Sequence, residues 1–315
     1  MPARAEARRP AIIHWNGLGD RLTALPAVRA LAELFKGRLT VCGLAGDQRN
    51  FYAGLPLRRV VEVETWGAPG GRAFDLGRLL AELDGCDLLV SFNHWHNEAS
   101  QQLLDALGPI DHLGYFPSFS RPFRRTYDQH VIDDHFELVQ LLAPELCLDP
   151  YAAPPDLPAE AVEKARQIRA LAPPGTKLLA VHTETAAEKR WPAANMARLL
   201  DAFLERRPDY LVFVVDRGNT DLAGMSHAER VFSTAGAGLP VAMALVGSAD
   251  VFVGIDSVML HAADFFRVPS VGLFGPTCWR RWGFRFARHQ VAAVDGPMAG
   301  LEVEKALAAL ELMAP

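Results

Sequence analysis

The stretch that decides the fold covers residues 249–277 and reads Ala-Asp-Val-Phe-Val-Gly-Ile-Asp-Ser-Val-Met-Leu-His-Ala-Ala-Asp-Phe-Phe-Arg-Val-Pro-Ser-Val-Gly-Leu-Phe-Gly-Pro-Thr. Its apolar, β-branched run at 251–255 has the composition and length of a buried parallel strand. Apolar residues at helical spacing follow, and Pro269 stops that pattern before a second apolar run at 270–274. The stretch therefore predicts a strand, a helix and a second strand, which is the repeating unit of a parallel sheet.

The turn between the first of these strands and the helix is the expected ligand site. Asp256 and Ser257 stand there, and both are residue types that cap helix N-termini. In such units ligands bind beyond the carboxyl ends of the strands. Because the N–H groups at the start of a helix favour an anion, we expect an anionic ligand here, with a nucleotide diphosphate as the working hypothesis.

Strand and helix patterns alternate on both sides of this stretch. Strands are predicted at 11–15, 39–42, 60–63, 87–91, 178–182 and 210–215, with helices between them that include one at 48–54. This alternation indicates an α/β chain with doubly wound parallel sheets. Its 315 residues suit two domains. Four prolines between residues 148 and 158 mark the linker, and we place the domains at 1–153 and 154–315.

Composition and charge exclude several classes of protein. The chain carries 32 basic and 37 acidic residues, a net charge of −5, whereas a nucleic-acid-binding domain has a basic surplus. No apolar run approaches the roughly 20 residues of a membrane span, and residues 1–10 lack the apolar core of a signal peptide. We therefore predict a disordered leader at residues 1–10 and a cytoplasmic protein whose four widely spaced cysteines are reduced.

A glycine-containing loop opens the first half of the chain. Gly17-Leu18-Gly19-Asp20 follows the first predicted strand and precedes a helix that has Pro26 in its first two turns and extends to Phe35. A dinucleotide-binding loop would have a third glycine where this chain has Leu22. The missing glycine argues against a nicotinamide-dependent dehydrogenase.

Three segments, in this order, resemble glycosyltransferase family 9, the bacterial heptosyltransferase family. They are Gly17-Leu18-Gly19-Asp20 with Pro26 downstream, Lys189-Arg190-Trp191-Pro192 ahead of a helix, and Asp256-Ser257 with His261, followed by Phe274-Gly275-Pro276-Thr277. The resemblance implies a GT-B fold, in which two Rossmann-like parallel-sheet domains face a central cleft. It also implies an N-terminal domain that binds the acceptor, a C-terminal domain that binds a nucleotide sugar, and an inverting, metal-independent transfer from a donor that is typically ADP-heptose.

Asp20 is the candidate catalytic residue. It lies just past the first predicted strand, in the Gly-Asp position that holds the general base in the resembling family. An inverting transfer needs such a base near the acceptor, and a positioned base contributes roughly 10²–10⁴-fold in rate. The alternative interpretation is that Asp20 only caps the helix that follows it.

The candidate donor-binding residues lie in the second half of the chain. By the same resemblance, Lys189 binds the donor phosphates, Asp256 contacts the nucleotide, and Ser257 offers its N–H and hydroxyl to phosphate. His261 follows Ser257 by one helical turn and so shares its face, with a buried core histidine as the alternative. Asp216 follows a predicted strand and is expected either to hold a ribose hydroxyl or to cap a turn. The remaining expected donor contacts are Thr183, Thr185 and Thr277.

This chain departs from the family pattern at three places. Glu184 interrupts the hydroxyl-rich run, and a carboxylate beside a diphosphate is unfavourable unless it points away. Val258 replaces the usual glycine after Asp-Ser, and a β-branched residue does not easily adopt positive φ and narrows access to the backbone. The basic residue common on the first strand is replaced around His14-Trp15. These departures concern the donor and its phosphate contacts rather than the fold.

Two clusters in the first half are candidates for the acceptor side. Asn93-His94-Trp95-His96 follows a predicted strand, and because a catalytic zinc site needs a third protein ligand, acceptor lining and an ordinary loop are the interpretations that remain. A set of arginines stands among aromatic residues and suits an anionic or sugar acceptor, or else a surface loop. Asp133-Asp134 is expected on a solvated helix face rather than at a metal. The candidate acceptor residues are Asn93, His94, His96, Arg121, Arg124 and Arg125.

The sequence thus predicts a glycosyltransferase that moves a sugar, with heptose from ADP-heptose favoured, to a hydroxyl or amine. A lipopolysaccharide core and a small natural product both remain as acceptors, peripheral contact with a membrane stays open, and no cofactor is expected. One alternative is a non-catalytic sugar-nucleotide-binding partner of another transferase, against which Asp20 and Lys189 argue. The other is a GT-B sugar-nucleotide epimerase, whose acid–base set is not visible in the sequence.

Overall fold

A computed structural model of the chain describes residues 6–44, 51–67, 71–218, 220 and 224–315. It divides into two compact units, Met1–Asp156 and Leu157–Pro315. The division falls within the proline-rich segment in which the sequence predicts the boundary. Residues 1–5 of the predicted leader, and residues 48–50 of the predicted helix at 48–54, lie outside the described residues.

Unit 1 contains a parallel sheet and a short antiparallel pair. Its strands are β1 (Pro10–His14), β2 (Thr40–Leu44), β3 (Arg59–Val63), β4 (Thr65–Trp66), β5 (Ala73–Phe74), β6 (Leu88–Ser91), β7 (Asp111–Gly114) and β8 (Arg121–Pro122). Its α-helices are α1 (Leu18–Thr23), α2 (Leu25–Phe35), α3 (Leu76–Glu82), α4 (Glu98–Leu107) and α5 (Val131–Gln140). β4 pairs antiparallel with β5, and the other strands form a parallel sheet in the order β3-β2-β1-β6-β7-β8. The strand order therefore reverses between β1 and β6, the position where such sheets bind ligands.

The chain after β1 forms two helices where the sequence predicts one continuous helix as far as Phe35. α1 ends at Thr23 and α2 begins at Leu25, with Pro26 in its first turn. Proline lacks a backbone N–H and is tolerated only in the first turn of a helix. Pro26 therefore starts the second helix and leaves Asp20 on a short helix of its own.

Unit 2 repeats the parallel architecture. Its strands are β9 (Lys177–His182), β10 (Tyr210–Val214), β11 (Val231–Ser233), β12 (Val251–Ile255), β13 (Ser270–Phe274) and β14 (His289–Ala293). Its α-helices are α6 (Ala159–Arg169), α7 (Ala193–Arg206), α8 (Leu239–Gly247), α9 (Val258–Phe265), α10 (Trp279–Trp282) and α11 (Val303–Met313). The sheet is parallel, in the order β11-β10-β9-β12-β13-β14, so the strand order reverses between β9 and β12.

The structure confirms the strand, helix and strand predicted for 249–277. β12 and β13 have the predicted bounds, are buried throughout and pair in parallel from Phe252 opposite Ser270. Gly254 shows how closely the neighbouring strands approach. A Cβ at this position would lie 2.5 Å from the Phe252 ring and 3.2 Å from the His182 carbonyl oxygen, so glycine permits this packing.

The predicted disordered leader is wrong for its last residues. The N–H groups of Arg8 and Arg9 donate to the Asp87 carboxylate at 2.7 and 2.9 Å, and Pro10 begins β1. Asp87 precedes β6, the parallel neighbour of β1, which explains how its side chain reaches the chain entering β1.

Of the helices in the described ranges, none combines the length and the apolar character that a membrane span requires.

Candidate functional site

Two asparagines tie together the loops that follow β1 and β6 at the carboxyl edge of unit 1. Asn93 Oδ1 accepts a hydrogen bond of 2.7 Å from the Trp15 N–H, and Asn16 Nδ2 donates to the Phe92 carbonyl at 2.9 Å. The N–H of His94 also donates to Asn16 Oδ1, at 3.5 Å. The Asn93 amide is buried. This predicted acceptor residue therefore fixes the loop that presents His94.

Asp20 both caps α1 and faces a histidine. Its Oδ2 accepts a hydrogen bond of 3.0 Å from the Gly17 N–H, three residues earlier. Its Oδ1 lies 3.6 Å from His94 Nε2, and the side chain is 26% exposed. The two oxygens thus have different surroundings, so capping and a chemical role are compatible. The capping contact fixes the position of the carboxylate that the sequence marks as the candidate base.

Arg125 reaches the opposite edge of the His94 ring. Its Nη1 lies 2.7 Å from His94 Nδ1, and its guanidinium carbon lies 4.6 Å from the centre of the Tyr115 ring. Tyr115 in turn stacks on His94, with ring centres 5.7 Å apart and planes 9° from parallel. Two candidate acceptor residues that are 31 positions apart in the sequence are therefore brought to the same side chain, next to Asp20.

Further histidines pack behind this arrangement. The His135 ring lies 5.2 Å from that of His94 and its Nδ1 is 2.6 Å from the Tyr115 hydroxyl oxygen. His14 is fully buried, 6.0 Å from His135 between ring centres. Burial, then repulsion from His94 in its protonated form and then from Arg21, lower the pKa of His14 well below its usual value. His14, at the place where the family has a basic residue, is therefore a neutral core group.

His96 points to other partners than His94 does. Its Nε2 lies 3.0 Å from both Gln101 Oε1 and Ser118 Oγ. His94 contacts Arg125 through Nδ1 and faces Asp20 through Nε2, so the contacts described for the two histidines are with different residues. The described contacts of this His-x-His pair are those of a hydrogen-bonded loop.

The other charged residues singled out in unit 1 differ in their surroundings. Arg121 donates to the Leu141 carbonyl at 2.7 Å, which ties β8 to the end of α5, and Arg124 is exposed. The expectation of a solvated face for Asp133-Asp134 is wrong for Asp134, which is completely buried. It lies in the first turn of α5, where the helix dipole favours a negative charge.

At the carboxyl edge of unit 2, Lys189 and Thr185 converge on Asp256. Lys189 Nζ lies 2.7 Å from Asp256 Oδ2, and the Thr185 hydroxyl donates to the Asp256 carbonyl at 2.9 Å. Lys189 and Thr185 lie on the loop after β9, and Asp256 follows β12. These strands are parallel neighbours. Their pairing therefore brings together three donor-binding candidates that are far apart in the sequence.

Asp216 is the centre of a second network, at the end of β10. Its carboxylate accepts hydrogen bonds from the Thr183 N–H at 2.9 Å, from the Thr183 hydroxyl at 2.6 Å and from the Thr220 hydroxyl, and His182 Nδ1 lies 2.8 Å away. Burial alone would raise the pKa of this carboxyl, but the contacts with His182, Thr183 and Thr220 outweigh it and lower the pKa to about 2. Asp216 is therefore an anion at every physiological pH, and it holds Thr183 in place.

The Glu184 carboxylate, which interrupts the hydroxyl run, binds the backbone after β10. Its two oxygens accept hydrogen bonds of 2.9 Å from the N–H groups of Arg217 and Gly218. Burial alone would raise the pKa of Glu184, but these two bonds lower it overall. The contacts of Glu184 are thus directed to residues 217–218, while those of Thr185 are directed to Asp256.

The start of α9 presents a serine hydroxyl without a hydrogen bond. Ser257 is the N-cap residue, its side chain makes no capping bond, and its buried Oγ has no partner among the described residues. Val258, the first helical residue, does not have positive φ, so the helix start does not require the usual glycine. His261 is buried one turn later, and Thr277 is half-buried in the bend after β13, the strand beside β12.

Some residues of these networks are not singled out by the sequence. His182 and Thr220 flank Asp216, and Tyr115 stacks on His94. A topological signal exists only for His182, because it ends β9, and β9 pairs with the strand that precedes Asp216. The contacts of Thr220 and Tyr115 depend on loop conformation, which has no periodic signature in the sequence.

The comparisons with known proteins agree on one family. Residues 114–298 match the model of glycosyltransferase family 9 (heptosyltransferase), which is more than half of the chain. Among curated proteins, none matches this chain.

Solved structures similar to this chain include a family 9 glycosyltransferase and two heptosyltransferases. The family 9 glycosyltransferase of Veillonella parvula is 17% identical, with 98% of this chain and 97% of that chain covered and a TM-score of 0.75. Heptosyltransferase WaaC of E. coli with ADP is 16% identical, with 97% and 100% covered and a TM-score of 0.66. ADP-heptose lps heptosyltransferase II of E. coli has the same identity and TM-score, with 97% and 98% covered. These likenesses, with the two parallel-sheet units, confirm the predicted GT-B fold, and the chain belongs to glycosyltransferase family 9 and is a glycosyltransferase.

Proposed function

We propose that this glycosyltransferase is an inverting, metal-independent enzyme that transfers heptose from ADP-heptose to a hydroxyl or amine of its acceptor. One observation carries the proposal, namely the carboxylate of Asp20 at the carboxyl edge of unit 1. It is partly exposed, and its Oδ2 is fixed by the Gly17 N–H. A carboxylate held in this way is suited to take a proton from an acceptor, which is what an inverting transfer asks of a general base.

In the proposed reaction, Asp20 Oδ1 takes the proton of the acceptor while the acceptor oxygen or nitrogen attacks the anomeric carbon. The attack comes from the face opposite the diphosphate, so the configuration at that carbon is inverted. The bond to the diphosphate breaks, and ADP leaves with the bonding electrons. The reaction yields the glycosylated acceptor, ADP and a proton that Asp20 releases to solvent.

Unit 2 holds the donor in this proposal. Lys189 and the start of α9 stabilise the charge that develops on the departing diphosphate, since preorganised donors are most effective where charge develops. The Ser257 hydroxyl, which has no hydrogen-bond partner within the described ranges, supports this role. Asp216, whose carboxylate is fully engaged, acts by ordering Thr183. The other proposed donor contacts are Thr185, Asp256, His261 and Thr277.

The choice of ADP-heptose is supported by the ligands of similar structures. One structure of E. coli WaaC is described with ADP and another with ADP-2-deoxy-2-fluoro heptose, the latter 16% identical to this chain with a TM-score of 0.67. The arginines of unit 1 support the proposed acceptor class. Arg124 is exposed and suits an anionic acceptor, for which we propose a lipopolysaccharide core or a small natural product. The proposed acceptor contacts are Asn93, His94, His96, Arg121, Arg124 and Arg125.

We place the reaction in the cytoplasm, and for a lipopolysaccharide acceptor we propose peripheral contact with the membrane. The four cysteines form no disulfide, which supports a reducing compartment.

A panel of nucleotides tests the donor. ADP, GDP, UDP, dTDP and their sugars are added in turn, and the melting temperature is measured, since a ligand that binds the folded state raises it by mass action. We expect ADP and ADP-heptose to raise it. A shift with only a non-adenine nucleotide would exclude ADP-heptose, and no shift with any of them would exclude the donor site. Transfer activity that survives in Asp20→Ala would exclude Asp20 as the base.

A further inference from the structure

His94 lies between a cation and the proposed base, and it contacts each through a different ring nitrogen. Arg125 Nη1 is 2.7 Å from Nδ1, and Asp20 Oδ1 is 3.6 Å from Nε2. The ring is held from a third side by Tyr115, which stacks on it. The orientation of the imidazole is therefore fixed by two independent contacts that do not involve Asp20.

The contact with Arg125 determines where the proton of His94 resides. A guanidinium has only N–H donors and remains protonated in proteins. The hydrogen bond therefore requires a lone pair on Nδ1, which places the single proton of the neutral imidazole on Nε2. A doubly protonated ring would set an N–H of His94 against an N–H of Arg125. Arg125 thus opposes protonation of His94 and directs its Nε2–H toward Asp20.

The other groups around His94 differ in the protonation state that they favour. His135 on α5 and His14 on β1 pack behind it, and burial keeps His14 neutral. Arg21 on α1 adds a positive charge near His14. Of the two charged side chains described in contact with the ring, Asp20 favours an imidazolium and Arg125 opposes it.

We infer that Arg125 and His94 are positioning residues for Asp20: Arg125 holds His94 as the neutral Nε2–H tautomer, and His94 steers the Asp20 carboxylate with a neutral N–H. This rests on the proposed function of Asp20 as the base. The distinction matters because an imidazolium at this distance would stabilise the carboxylate anion and make it a weaker base. The 3.6 Å separation is longer than a hydrogen bond, and such contacts tighten when substrate binds.

Nitrogen-15 NMR of the histidine side chains tests the tautomer without reference to activity. The signals of His94 are assigned by their absence in His94→Leu. We expect the Nε2–H tautomer in the wild type, with no protonation down to about pH 6, below the usual histidine pKa near 6.5. In Arg125→Met, which has no donor, His94 should titrate. An Nδ1–H tautomer or a charged ring in the wild type at neutral pH would overturn the inference.

Kinetics test the consequence for the base. His94→Leu should lower kcat by about tenfold, the value of one lost hydrogen bond, with little change in donor KM. His94→Gln keeps an N–H near the Nε2 position, so it should have a higher kcat than His94→Leu. In Arg125→Met, kcat/KM should fall between about pH 7.5 and 5.5 as His94 becomes charged, while Arg125→Lys should retain the wild-type profile. Arg198→Met, on the exposed face of α7, is the matched control.

Different results would contradict the positioning role of His94 and Arg125 and the proposed role of Asp20 as the base. If the tautomer is as expected but the pH profile of Arg125→Met equals that of the wild type, the positioning role is wrong and the glycosyltransferase proposal stands. If Asp20→Asn keeps full turnover, Asp20 is not the base, whatever the state of His94.

Discussion

Lys189 Nζ lies 2.7 Å from Asp256 Oδ2, and the carboxylate is the more buried partner, with a side-chain exposure of 8% against 29% for the lysine. The pair joins the loop after β9 to the start of α9, where the Ser257 hydroxyl has no partner in the part of the chain that the structure describes. A buried carboxylate that loses its cation is left uncompensated. Lys189 therefore has two effects that experiments can separate, one on the fold and one on the donor.

Replacing Lys189 by methionine should weaken ADP binding. A hydrogen bond from a charged group contributes about 1.5–3 kcal/mol, so the Kd measured by calorimetry should rise about 10- to 150-fold. Lys164→Met, an exposed lysine on α6, is the matched control and should leave the Kd unchanged. Equal affinity of Lys189→Met and the control for ADP would remove Lys189 from the donor site.

The double variant Lys189→Met with Asp256→Asn separates the two effects. Removing both charges relieves the uncompensated carboxylate, so the melting temperature should return toward that of the wild type. ADP affinity should remain low. If the double variant regained affinity together with stability, the loss in Lys189→Met would be a consequence of the disturbed fold.

Asp20→Asn should separate capping from chemistry. Asparagine keeps a side-chain oxygen that can accept from the Gly17 N–H, so the melting temperature should change little. An amide cannot act as a base near neutral pH, so turnover should fall roughly 10²–10⁴-fold. The measurement is initial-rate transfer together with a melting curve. A stable variant with normal turnover would leave Asp20 as a cap alone.

Strands that are buried on both faces of a sheet are continuous apolar runs in the sequence, and these strands of the fold are predicted well. β12 and β13 have the predicted bounds because Asp256-Ser257, Pro269 and Gly275-Pro276 mark their ends. β8 and β11 are missing from the prediction because they are short edge strands with polar residues, and Phe232 of β11 is 44% exposed. Edge strands have one neighbour and need no continuous apolar run.

The candidate site is predicted only in part, because its residues come from separate loops. Lys189 and Asp256 are marked by sequence motifs, and the pairing of β9 with β12 brings them together. The contact of Arg125 with His94 has no such marker, since it joins an irregular segment to a loop 31 residues earlier. Which atoms of His94 face Arg125 and Asp20 depends on side-chain rotation, which sequence spacing does not specify.

Asp216 should make the stability of the protein depend on acid pH. Its pKa is lowered to about 2 in the folded state, from about 3.9 in an unfolded chain. A group whose pKa is lowered by folding contributes stability above its unfolded pKa, and the contribution is lost as pH falls toward the folded value. About two pKa units correspond to about 2–3 kcal/mol. This stability should be present at neutral pH and disappear between about pH 4 and pH 2.

Asp216→Asn checks this expectation through melting temperatures at several pH values. At neutral pH the variant should melt about 5 °C lower than the wild type, and the difference should shrink below about pH 4. Asp295→Asn, an exposed aspartate after β14, should show no such pH dependence relative to the wild type. A difference that stayed constant from neutral pH to about pH 2 would show that the charge of Asp216 does not contribute.

At Val258, the effect of side-chain size on ADP affinity can be separated from the effect of backbone conformation on stability. Its φ is not positive, so glycine there would relieve no strain and would cost about 0.5–1 kcal/mol in backbone entropy. Its half-buried side chain stands on the first helical residue, next to the Ser257 N–H.

We therefore expect Val258→Gly to melt slightly lower yet to bind ADP about threefold tighter or more, because phosphate gains access to the helix start. Val258→Ala should be intermediate in affinity with little loss of stability, since alanine is a good helix former. Calorimetry with both variants decides the matter. If affinity stayed constant across Val258, Ala and Gly while the melting temperature followed helix propensity, the valine would affect only the helix, and its side chain would have no part in selecting the donor.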